Sequence, residues 1–272
     1  MSVFFYVQNH EVPIAVTNPT VTPTAVGALQ TTFSGKPVST YQSIKKVWAG
    51  STPLMNSSNA RFLMALLEGR GHKWSFDDSS EFAYSSKGLY PTVGTVANGT
   101  YYSTTTKFGA GGLQVAANSY VQFNVGYDYD WTVLVWQGSN LSTATHYIVN
   151  SSGQKWVNGV RNDAASTPFI DVVSGNFRLG DPAGTAANNR FDDAVIIDAK
   201  ITEEWAADLG AMTSAFGALP LLRCRGEWLQ NNTYNVLASD ISASFTPGMD
   251  DTTFVNDLMA VSFTLNEYER LA

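Results

Sequence analysis

Arg190-Phe191-Asp192-Asp193-Ala194-Val195-Ile196-Ile197-Asp198-Ala199-Lys200-Ile201-Thr202-Glu203-Glu204-Trp205-Ala206-Ala207-Asp208-Leu209 is the stretch around which the chain is organised. Ala194 to Ile197 is short and wholly apolar, the pattern of a strand covered on both faces, and two carboxylates precede it. Thr202 stands where a helix cap is expected. Glu203 and Glu204 suit the positive end of a helix dipole, and Trp205 and Leu209 share one face at i,i+4. The stretch therefore predicts strand, turn and a short amphipathic helix.

Lys107-Phe108-Gly109-Ala110-Gly111-Gly112-Leu113 and Trp131-Thr132-Val133-Leu134-Val135-Trp136 look like the early Gly-rich strand and the central strand of a laminin-G-like (concanavalin A-like) jelly-roll domain. Trp156-Val157-Asn158-Gly159-Val160 resembles that family's Asn-Gly hairpin, and Phe177-Arg178-Leu179-Gly180 the strand after it. Taken in this order and closed by the Asp-rich strand and short helix, these segments together resemble that domain. The resemblance covers roughly residues 74 to 218.

The 272 residues suffice for one large or two modest domains with proper cores. Only 14% of residues are charged, while Gly, Ser, Thr, Asn and Tyr are plentiful, a balance that favours β-sandwich and loop-rich architecture over helical bundles. A formal charge of -7 gives no footprint for polyphosphate, so no nucleic-acid partner is expected. A single cysteine, Cys224, excludes an internal disulfide framework and reads as a small buried strand residue. The first residues lack a basic segment followed by an apolar one, and no apolar run approaches the roughly 20 residues that span a bilayer. Synthesis in a cytoplasm without membrane insertion is expected.

The flanks have a different texture. Residues 3 to 7 read as a strand. Val12 to Val26, interrupted by Pro13, Pro19 and Pro23, reads as an extended arm, edge strands or a surface loop. Ala60, Leu63 and Leu67 form a helical stripe that Ser57, Ser58 or Asn59 can cap and Gly69 or Gly71 can stop. Leu221 to Trp228 alternates as a strand, as do Met259, Val261, Phe263 and Leu265. That helix, with Leu67-Glu68-Gly69-Arg70-Gly71-His72-Lys73-Trp74-Ser75-Phe76, Leu222-Arg223-Cys224-Arg225-Gly226-Glu227-Trp228 and Val261 to Tyr268, is similar to the phage minor tail protein M and distal tail protein group.

Together the resemblances imply a mainly β protein: a laminin-G-like jelly-roll β-sandwich, residues 74–218, inserted into a smaller β-sandwich with one helix, residues 1–73 plus 219–272. Residues 74 and 218 should then lie close in space. The implied function is that of a structural virion protein of a bacteriophage tail tip. It would form a homo-oligomeric ring with other phage tail proteins and display the jelly roll to a host surface glycan or a neighbouring virion protein. A capsid decoration protein or fibre-associated lectin, and a glycan hydrolase, are the alternatives.

No phosphate-binding loop or nucleophile elbow occurs, and His10, His72 and His146 are isolated from one another, so no catalytic residue is nominated. Adjacent Asp192 and Asp193 point to opposite faces of a strand, which does not suit the paired carboxylates of a glycosidase. Tyr101, Tyr102, Tyr127, Asp128, Tyr129 and Asp130 combine aromatic faces with hydroxyl-reading carboxylates and are candidate glycan contacts, although Tyr127 also continues the core alternation of Val121, Phe123 and Val125. Asp77, Asp78, Asp192 and Asp193 are candidate calcium ligands, with turn capping as the alternative role; no cofactor is required.

Overall fold

The computed structural model describes residues 3–7, 10–26, 29–31, 34, 37–39, 43–77, 87–88, 94–96, 100–117, 119–127, 129–165, 170–173, 175–180, 189–213, 215–216, 222–246 and 258–271. The molecule is mainly β, and its sheets are antiparallel. One sheet is built from the two ends of the chain and curls on itself. Val3–Val7 pairs with His10–Val26, that strand with Ser43–Ser51, and Ser43–Ser51 with Leu258–Leu271. Leu258–Leu271 pairs in turn with Thr233–Thr246, which pairs with Leu222–Gly226, and the latter returns to Val3–Val7. These pairings form a closed circuit of six strands.

The proline-rich segment is thus one long strand, bonded through its first half to Val3–Val7 and through its second to Ser43–Ser51. It turns between these partners at a bulge where Asn18 is left-handed, and Thr233–Thr246 bulges likewise at Asp240. Asn and Asp tolerate positive φ better than other non-glycine residues, and a bulge sharpens the local twist that lets a sheet curl. Met259, Val261, Phe263 and Leu265 alternate inward as expected, and Cys224 is fully buried.

The helix Ser57–Glu68 (α1) lies against the hairpin of Thr233–Thr246 and Leu258–Leu271. Its cap differs from the three predicted residues: Asn56 takes the N-cap and its side chain accepts from the Asn59 N–H at 2.7 Å. Gly69 ends the helix in the left-handed conformation. Phe62, Leu63, Ala65, Leu66 and Leu67 are buried.

The middle of the chain forms two further sheets. A nine-stranded sheet centres on Asn189–Ile197, which pairs with Thr132–Gly138 on one side and with both Gly112–Val115 and Gly71–Trp74 on the other. A four-stranded sheet contains Gly94–Val96, Tyr120–Asn124, Asn176–Gly180 and Ile170–Val173. Trp74, Phe123, Phe177, Phe191, Val133 and Ile196 belong to one buried core contributed by both sheets. Val195 and Ile197 point the other way, into the core that holds Trp48, Phe62 and Tyr234 of the flanks. The apolar run is therefore covered on both faces, as its composition predicts, and each such side chain contributes about 1.5–3 kcal/mol by burial.

A second helix, Glu203–Gly210 (α2), packs into the core shared with the flanks: Trp205 meets Phe62 edge-on at 5.6 Å. Thr202 occupies the N-cap without a side-chain capping bond, and its hydroxyl donates to Asn59 Oδ1 at 2.5 Å across the seam between the helices. The C-terminal end of α2 sits on the Asn158-Gly159 turn so closely that a Cβ on Gly210 would lie 2.3 Å from the Gly159 Cα.

Candidate functional site

Asp192 and Asp193 differ sharply in what they hold, because the strand bulges between them. Opposite Thr132–Gly138 the register slips between Leu134 and Trp136, and Asp193 takes a left-handed φ of 46°. Asp192 turns toward the segment 106–108. One of its oxygens accepts from the Lys107 N–H at 2.7 Å, the Phe108 N–H at 2.9 Å and the Thr106 hydroxyl at 3.0 Å, and the other from the Asp193 N–H at 2.8 Å. Burial dominates these bonds and pushes its carboxyl up to about 6.

Asp193 turns inward to Lys73 Nζ at 2.5 Å and accepts from the Phe216 N–H at 2.5 Å, while Lys73 also donates to the Phe216 carbonyl. One buried ion pair thus ties together the strand by which the chain enters the middle sheets and the segment by which it leaves them. Burial raises the Asp193 carboxyl from its ordinary value, and the neighbouring Lys73 opposes that rise.

Asp77 supports the same Gly-rich segment from the other side, accepting from the Ala110 N–H at 2.6 Å and the Gly111 N–H at 3.3 Å. Gly109, at φ 62°, passes so near that a Cβ would lie 2.0 Å from the Asp77 carboxylate. Among the calcium candidates, then, Asp77, Asp192 and Asp193 accept from backbone N–H groups, and Asp193 also pairs with Lys73; Asp78 lies outside the described residues. No group of three or more His, Cys, Asp or Glu side chains assembles into a metal-binding cluster among the described residues.

The aromatic candidates also separate. Tyr101 and Tyr102 fall in the strand Thr100–Ser103, where their side chains lie outside what is described, as does Asp128. Tyr127 is half-buried against the sandwich core, 5.9 Å from the His72 ring. Burial, with the Asp198 carboxylate next in effect, raises its hydroxyl to about 12 although Arg70 opposes the shift. Its ring continues the core alternation. Tyr129 is 90% exposed.

Tyr129 and Asp130 line a cleft of about 410 Å³ whose other walls come from α1 and from the turn after the central strand: Ser58, Arg61, Arg70, Asp198 and Lys200. Ser58 and Arg61 are one helical turn apart, so α1 presents both on one side. Arg70, just past the end of α1, is held by Glu68 at 2.6 Å and Asp198 at 2.9 Å, and its guanidinium also donates to the Asp198 carbonyl. The cleft joins the flanking unit to the middle sheets with a fixed polar wall, two mobile-length cationic side chains and one solvent-facing ring. Such a surface suits a polyhydroxylated ligand stacked on an aromatic face.

Sequence reasoning nominated Tyr129 and Asp130 but none of the cations, which carry no motif and stand 61 to 200 in sequence, far from the tyrosines. A second depression, of about 260 Å³, lies over the two strand bulges and is lined by Asn18, Gly50, Asp240 and Phe263 among others. No protein-family model matches the chain, and a comparison with curated proteins finds no significant match.

Proposed function

We propose that this chain is a structural protein of a bacteriophage tail tip, a member of the distal tail or minor tail group, whose inserted laminin-G-like jelly roll meets a host surface glycan. The curled six-strand sheet formed by the two chain ends would be the ring-building unit, assembling with copies of itself and with other tail proteins. The two face-to-face sheets of the middle segment would be the display unit. The observation that carries the saccharide part is the cleft at their seam, where the Tyr129 ring stands free above a polar wall that Arg70 and Asp198 hold in place.

Binding without hydrolysis is favoured because the adjacent acids Asp192 and Asp193 are spent on internal donors and are 0% and 4% exposed. A glycosidase needs two carboxylates on either side of a bond in an open site. A ring presenting several copies of a weak site multiplies contacts that are individually feeble. The tail-tip assignment itself draws on the similarity of the helix, the Gly-Trp strand and the last two strands to the tail group; of these, the helix and last strands belong to the flanking unit, whereas Gly71–Trp74 pairs with Ala194–Ile197 in the middle sheet.

Gold-antibody labelling of purified particles tests the assignment. Label confined to the tail tip is the expected result. Label over the capsid would make the protein a decoration protein, and absence from particles would overturn the virion role.

A further inference from the structure

Arg61 and Lys200 line the Tyr129 cleft without an ion-pair partner among the described residues. Arg70 and Asp198 lie in the same wall but neutralise each other at 2.9 Å, with Glu68 on the far side of Arg70. With Glu68 counted, the charges around the cleft balance, Arg61, Arg70 and Lys200 against Glu68, Asp130 and Asp198, yet Arg61 and Lys200 keep donors that no carboxylate of the described residues takes up. The potential beside those two cations favours an anion in direct contact, on a chain whose overall charge is -7. The first turn of α1, which supplies Ser58, contains no acidic residue, so the positive end of its dipole adds to the same potential.

We infer that the cleft takes an acidic saccharide, a sugar bearing a carboxylate, and this rests on the saccharide reading proposed above. Arg61 and Lys200 hold the sugar's carboxylate, the arginine through paired N–H donors and the lysine as a point charge. Tyr129 stacks on the apolar face of the ring. Asp130 accepts from the sugar hydroxyls, a role that a carboxylate fills well and that also discriminates against an anion placed in the wrong orientation.

The test is ligand-observed saturation-transfer NMR titration of the full chain with two matched pairs: methyl glucuronoside with methyl glucoside, and methyl galacturonoside with methyl galactoside. At least one acidic member should bind about tenfold more tightly than its neutral partner, the least that one charge-assisted hydrogen bond supplies. That preference should shrink on adding salt and disappear in the Arg61→Ala, Lys200→Ala double variant, whose folding is checked by circular dichroism. Tyr129→Ala should weaken both members of a pair. Equal binding of acid and neutral forms, or a preference that survives the double variant, would overturn the acidic inference while leaving the saccharide reading intact. Absence of binding by all four probes would overturn both.

Discussion

Replacing Lys73 by Met removes a buried cation and leaves its carboxylate behind. Lys73 is 8% and Asp193 4% exposed, so neither group has water to turn to. In the variant Asp193 retains the Phe216 N–H but loses its 2.5 Å contact with Nζ, and the Phe216 carbonyl loses a donor. Breaking a buried pair from one side costs about 3–5 kcal/mol. Asp193 escapes part of that cost by taking up a proton, since burial already raises its carboxyl. The sign follows: without Lys73 the folded-state pKa rises further above the unfolded value, so the lost stability grows as pH climbs from about 4 toward neutrality.

The expected loss near neutral pH is about 3 kcal/mol, at the lower end of that range, and a melting temperature lower by roughly 10 °C. Urea unfolding followed by tryptophan fluorescence at pH 5 and pH 8 gives both quantities. Asp193→Asn supplies the second arm of a cycle, because Asn also tolerates the left-handed backbone at this position. The double variant should lose less than the sum of the single losses by about 1 kcal/mol or more. Limited proteolysis should cut the Lys73→Met variant faster near residue 216, the segment released. A loss below about 0.5 kcal/mol at pH 8, the scatter of ordinary surface substitutions, or one independent of pH, would refute the clasp.

Asp192 titrates at about 6 in the folded protein against an ordinary 3.8, so its contribution is fully present below about pH 4 and is lost as pH rises through 6. The difference corresponds to about 3 kcal/mol; the stability of wild type relative to Asp192→Asn should fall by that amount between pH 4 and pH 7, and parallel pH profiles would be the contrary result. Gly210→Ala would press a methyl group to 2.3 Å from the Gly159 Cα, backbone against backbone, and should cost about 1–3 kcal/mol in urea unfolding; a neutral outcome would mean that α2 moves freely off the hairpin turn. Tyr129→Ala should leave stability within about 0.5 kcal/mol, because the ring is 90% exposed, while weakening whatever saccharide contact the cleft makes.

Elements whose cause is local are legible in the residues alone. Ala194 to Ile197 announced a doubly covered strand by lacking any polar position, and the helix Ser57–Glu68 announced itself by its stripe and its glycine stop. Met259 to Leu265 alternated, and Cys224 lay buried in its strand, for the same reason: burial repeats with the period of the backbone. Even so, the cap fell one residue earlier, on Asn56, whose side chain accepts from the Asn59 N–H, and the Thr202 hydroxyl found an acceptor, Asn59 Oδ1, 143 positions away that only packing brings near.

Where distant charges meet is settled by packing. Asp192 and Asp193 read as neighbouring acids and candidate calcium ligands. A bulge divides them, sending one to the Gly-rich segment and the other to a lysine 120 positions away. The closing of the six-strand circuit and the gathering of Arg61, Arg70, Tyr129 and Lys200 around one cleft likewise leave no local mark. Periodicity records which side of an element is buried, but not the partner on that side; register and charge pairing are set by how the whole chain packs.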